Sequence, residues 1–122
     1  MLLTPLETFF VEEFCRFIGY PSSEAGKLRV GERERSPVGF MTTILAASVP
    51  RALCWGHRVF DPPRIALVGP DSVKCGMMLF FDSVTGKLDS IEGSVFGEQW
   101  PSIEEPFFWS EIDRNADSTR KH

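Results

Sequence analysis

The run Met77–Phe81, Met-Met-Leu-Phe-Phe, contains no polar position, and nothing else in the chain limits the fold as much. A strand of this kind is expected to be covered on both faces, which puts it at the centre of a sheet. Ser83-Val84-Thr85-Gly86 follows as a four-residue turn, with glycine where a positive φ is expected. A half-polar return strand comes next, so residues 76–101 read as a β-hairpin leaving through Gly97-Glu98-Gln99-Trp100-Pro101. Leu88 and Ile91 stand at an odd offset for residues that share a face. A bulge near Asp89-Ser90 brings them to one side, together with Gly93 and Val95. A helical turn over Asp89–Glu92 is the alternative.

The N-terminus predicts the helix that covers this sheet. Thr4-Pro5-Leu6-Glu7 is a capping box with proline at the first helical position. Leu6, Phe9, Phe10, Phe14, Phe17 and Ile18 recur at steps of three and four, forming one apolar face. Gly19 and Pro21 end it. Lys27–Arg35 alternates and then becomes fully charged, as an edge strand protected against pairing does. Val38–Ala47 is rich in β-branched and aromatic residues and reads as an interior strand. Residues 48–63 hold Pro50, Pro62 and Pro63 around Trp55 and His57, with room for a short helical turn. Ile65–Val68 is a short strand closed by Gly69-Pro70-Asp71. Trp100–Ile112 is either a last strand or a covering arm.

One domain accommodates the 122 residues, and eleven Phe and three Trp promise an aromatic core. The expected architecture is α+β: an N-terminal amphipathic helix on an antiparallel sheet of about five strands over residues 1–113, with 114–122 a disordered tail. The expected core is Leu6, Phe10, Phe14, Phe17, Phe40, Ile44, Ile65, Leu67, Met78, Phe80, Leu88 and Ile91. Three widely spaced cysteines suit reduced thiols in a soluble, cytoplasmic protein. The start of the chain resembles no secretory signal, and no apolar run reaches bilayer length.

Chemistry-bearing motifs are sparse. Cys54-x-x-His57 with Cys75 lacks a second close pair, so no metal site is expected. His57 shows no nucleophile or orienting partner, and no glycine pattern cradles phosphate, so no catalytic residue and no cofactor are expected. A small-molecule binder or minor enzyme is an alternative, with a pocket between helix and sheet and Trp55, His57 and Arg58 at its mouth. The net charge of −4 argues against nucleic acid.

Charge is unevenly distributed. Residues 27–74 hold eight bases and four acids, whereas residues 82–113 hold eight acids and Lys87 alone. The acids interleave with aromatics, and Glu92, Glu98, Trp100, Glu104, Glu105, Phe108, Trp109 and Glu111 are the candidate contact for a protein partner with a basic surface. Arg35 and Glu92 are a candidate ion pair between the early strands and the hairpin. A homodimer through the aromatic arm is an alternative.

Two stretches resemble signatures of a group of small uncharacterised bacterial proteins. One is Arg35-Ser36-Pro37-Val38-Gly39-Phe40-Met41-Thr42-Thr43, which has Pro37 where the pattern has glycine and a shorter offset from Arg35. The other matches at Gly76, Leu79, Phe80, Gly86, Leu88, Ile91, Glu92, Gly93, Gly97, Trp100 and Pro101, with Ile91 where the pattern has leucine. The resemblance implies a single-domain α+β protein and assigns no functional residue. Analogy of size and charge alone points to an immunity-type inhibitor of a basic toxin.

Overall fold

The computed structural model describes residues 1–110. The tail at 114–122, and Glu111 among the candidate contact residues, lie outside the described residues. Helix α1 spans Pro5–Ile18. The capping box forms as its sequence dictates: the Glu7 amide donates to Thr4 Oγ1 (3.1 Å) and the Thr4 amide to Glu7 Oε1 (2.8 Å), a cap worth about 1 kcal/mol. Gly19, at φ 79°, makes the left-handed stop.

The sheet is antiparallel throughout. Its strands are β1 (Val30–Ser36), β2 (Gly39–Ile44), β3 (Val59–Phe60), β4 (Ala66–Val68), β5 (Val73–Phe81), β6 (Leu88–Val95) and β7 (Phe107–Trp109). The order is β1-β2-β6-β5-β4-β7, with β3 also paired to β5. The α+β expectation therefore stands, with seven strands among the described residues in place of about five. The two additions are β3 and β7, two and three residues long in proline-flanked segments that carry little periodicity. Within the last apolar segment Phe107–Trp109 form a strand, residues 100–106 are irregular, and residues 111–112 lie outside the described residues.

The hairpin 76–101 organises the sheet. Asp82 and Lys87 close the turn through Asp82 N–H to Lys87 C=O (2.8 Å), and Gly86 sits at φ 76°. Asp82 Oδ1 accepts the Val84 and Thr85 amides, both at 2.8 Å. These two bonds hold its carboxyl below the usual range. The bulge lies where the offset of Leu88 and Ile91 predicts: Phe80 pairs Ser90 and Phe81 pairs Leu88, leaving Asp89 as the extra residue. Leu88 and Ile91 are consequently both buried.

One face of the sheet takes α1. Leu6, Phe10, Val11 and Phe14 pack against Phe40, Ile44, Leu79, Phe81, Leu88 and Ile91. Here the expected core needs correction. From β5 it is Met77, Leu79 and Phe81, and from β4 Ala66 and Val68, that are buried. Met78, Phe80, Ile65 and Leu67 are only half-buried. An unbroken apolar run has no alternation to mark its inward side, and a one-residue choice reverses every side chain. Phe17 is corrected too. It is 62% exposed at the end of the helix, its ring perpendicular to Trp55 and tilted against Phe60.

Two glycines let rings close on the sheet. A Cβ at Gly93 would lie 2.5 Å from the Phe40 ring and 3.1 Å from Trp100. On the opposite face, a Cβ at Gly76 would lie 3.1 Å from Phe96, whose ring lies over that position.

Candidate protein-docking site

The face of the sheet turned away from α1 is the candidate site. Cross-strand register places Glu34, Met41, Glu92 and Met78 side by side across β1, β2, β6 and β5. The next row on the same face is Glu32, Thr43, Ser90, Phe80 and Val59. Alternation fixes the side: Thr42, between Met41 and Thr43, bonds Glu7 of the helix, so its neighbours point away from α1. Toward the other edge, Phe108 and Leu67 pair across β7 and β4. Leu67 is in turn opposite Lys74.

No element among the described residues covers this face. Met41 and Val59 are each 38% exposed, Phe96 50% and Phe108 57%. The expectation that both sides of β5 are covered is therefore corrected: β5 is central, but its Met78–Phe80 side is half-open. Two shallow hollows, of about 240 Å³ and 570 Å³, lie on either side of Met41, the first against Glu34 and Glu92 and the second against Phe80 and Val59.

Charge is sorted by the strand. In Glu32-Arg33-Glu34-Arg35 the arginines turn toward α1 and the glutamates away. Arg33 binds Glu7 (Nη2 to Oε1 2.7 Å, Nε to Oε2 2.8 Å), and Arg35 binds Glu104 at 3.4 Å. Glu32, Glu34 and Glu92 have no ion pair among the described residues. The Arg35–Glu92 pairing is overturned: the register sets these residues on opposite faces of the sheet. Burial pushes the Glu7 carboxyl up, but bonds from Arg33, Thr42 and Thr4 outweigh it and hold it below its ordinary value.

The expected acidic-aromatic contact is dispersed. Glu92 and Phe108 lie on the outer face. Trp100 turns inward, edge-on to Phe40 at 5.2 Å, with its Nε1 donating to Glu104 (2.9 Å). Trp109 stacks on Phe9 at 4.7 Å on the helix side. Glu98 and Glu105 are exposed on the connection between β6 and β7. Glu32, Glu34, Met41 and Met78 were not among the expected contacts. The strict Glu-Arg-Glu-Arg alternation is the sequence signal that marks the first two.

Trp55, His57 and Arg58 border a hollow of about 510 Å³ that lies between their loop and the hairpin turn, not between helix and sheet as expected, because the Trp55 ring itself fills the space against the helix. The Trp55 ring points into the core, against Phe14 and Phe81, with His57 packed on it at 4.5 Å. Cys75 lies in the core, where burial, with the charges of Glu104 and Glu98, pushes its thiol up to about 12. Among the described residues no three metal-ligating side chains come together, and no helix is long and apolar enough to cross a membrane. The chain matches no protein-family model, no curated protein and no solved structure.

Proposed function

We propose that this chain is a non-enzymatic protein-interaction module, an immunity-type inhibitor that docks a basic toxin or effector on the outer face of its sheet. The observation that carries the reading is the row Glu34–Met41–Glu92–Met78, where carboxylates with no ion pair among the described residues alternate with part-exposed methionines on a face that no described element covers. Carboxylates steer a cationic partner and set orientation, while desolvated apolar side chains supply affinity. Methionine adapts its shape to what binds. Of the expected contact residues the site keeps Glu92 and Phe108. A reducing, cytoplasmic setting suits the three free thiols.

The test is capture from native lysate on the immobilised chain, comparing wild type, Glu34→Lys/Glu92→Lys and Glu98→Lys/Glu105→Lys. A basic protein is expected on wild type and on the second variant, absent from the first and eluted by salt. Retention indifferent to both salt and the Glu34/Glu92 reversal contradicts the reading.

The hollow beside Trp55, His57 and Arg58 favours a second reading, a small-molecule site, since about 510 Å³ falls within the size of ligand pockets. Under that reading a bound metabolite would shift the fluorescence of wild type and not of a Trp55→Phe variant.

A further inference from the structure

We infer that the outer face is shaped for one kind of partner element, a cationic amphipathic helix lying along β5. This rests on the docking reading above and specifies its occupant.

Apart from Met41 on β2, the apolar positions of the face lie on β5 or beside it on β3, β4 and β7. Phe108, Leu67 and Phe96 lie at the Lys74 end, Met78 at the middle, and Phe80 and Val59 at the far end. From Lys74 to Phe80 this stripe runs about 20 Å, at ~3.3 Å per strand residue. A helix of about 13 residues has that length at 1.5 Å per residue. Glu32, Glu34 and Glu92, which have no ion pair among the described residues, stand on the β6–β2–β1 flank of the stripe. The complementary helix therefore carries apolar residues at helical spacing and Lys or Arg along one side.

Backbone chemistry separates a helix from an extended segment. A strand laid over the middle of a sheet face meets side chains, not a ladder edge, and its amides go unpaired on burial; a helix satisfies its own. α1 covers the inner face on the same terms. A second copy of this chain is the poorer fit, because face-to-face packing centred on the acidic rows sets Glu34 and Glu92 against like charges.

The probe is a synthetic peptide of about 14 residues built from Leu and Lys in helical order, titrated onto the full chain at low salt. A scrambled peptide of the same composition serves as control. Wild type is expected to bind the ordered peptide about tenfold more tightly than the scrambled one. Glu34→Lys/Glu92→Lys should lose that preference, as should the milder Glu34→Gln/Glu92→Gln, and Glu98→Lys/Glu105→Lys should keep it. Circular dichroism of each variant checks that the fold is intact. Equal binding of both peptides, or equal loss in the Glu98/Glu105 variant, overturns the inference. So does self-association of the wild type that Glu34→Lys/Glu92→Lys abolishes, which would assign the face to a second copy. If the ordered peptide fails to bind while lysate capture still depends on Glu34 and Glu92, the helix is wrong and the docking face stands. Failure of both removes both.

Discussion

Glu7 and Arg33 form a buried, two-pronged ion pair that ties the first turn of the helix to the edge strand, with Glu7 1% exposed and N–O distances of 2.7 and 2.8 Å. Glu7 also accepts from Thr42 and from the Thr4 amide, so its carboxylate has partners on helix cap, edge strand and inner strand at once. Removing the cation alone leaves a buried charge without its counter-ion. Arg33→Met is expected to cost roughly 3 kcal/mol in urea unfolding. Adding Glu7→Gln should return part of that loss, and full additivity would contradict the coupling.

The same carboxylate gives the protein an acid limit. Its folded pKa lies below the unfolded one, so the stabilisation is fully present above the unfolded value and is lost as pH falls through the folded one. Thermal stability should decline below about pH 4. A Glu7→Gln variant is expected to be less stable at neutral pH and to lose less between neutral pH and pH 3. An unchanged acid slope would count against the assignment.

Gly93 stands where a methyl group has no room. Gly93→Ala pushes Cβ into Phe40 and Trp100, and an overpacking cost of about 1–3 kcal/mol is expected. In the background of Phe40→Leu, denaturant titration should show a smaller penalty for the same change.

The three thiols should separate kinetically under native conditions. Cys15 and Cys75 are buried, and burial raises both thiols. Half-buried Cys54 is therefore expected to react first with an alkylating reagent at mildly alkaline pH, with the other two labelled only on unfolding. Peptide mapping after a short pulse reads the order.

The helix, its caps and the bulge could all be read in the chain because each has a local cause. Thr4, Pro5 and Glu7 are a cap by proximity, and the odd spacing of Leu88 and Ile91 has few other solutions. The face of β5 could not be read. Met77 and Met78 are chemically identical neighbours, and only the packing of α1 decides which of them is buried. The candidate site was hidden for a related reason. Acids crowd the hairpin exit in sequence, but Trp100 and Trp109 turn inward there. Glu32, Glu34 and Glu92 come together through the pairing of β1, β2 and β6, which is non-local. The charged run Glu32–Arg35 read as edge protection, and it also sorts cations inward and anions outward.

Those adjacent methionines supply the most direct test of the docking face. With methyl-labelled methionine, Met77 reports the core side of β5, while Met78 and Met41 report the outer side. As the captured basic partner is added, the Met41 and Met78 methyl resonances are expected to shift or broaden while Met77 and Met1 hold their positions. Unchanged Met41 and Met78 signals in a partner-bound sample would contradict the outer sheet face as the binding surface.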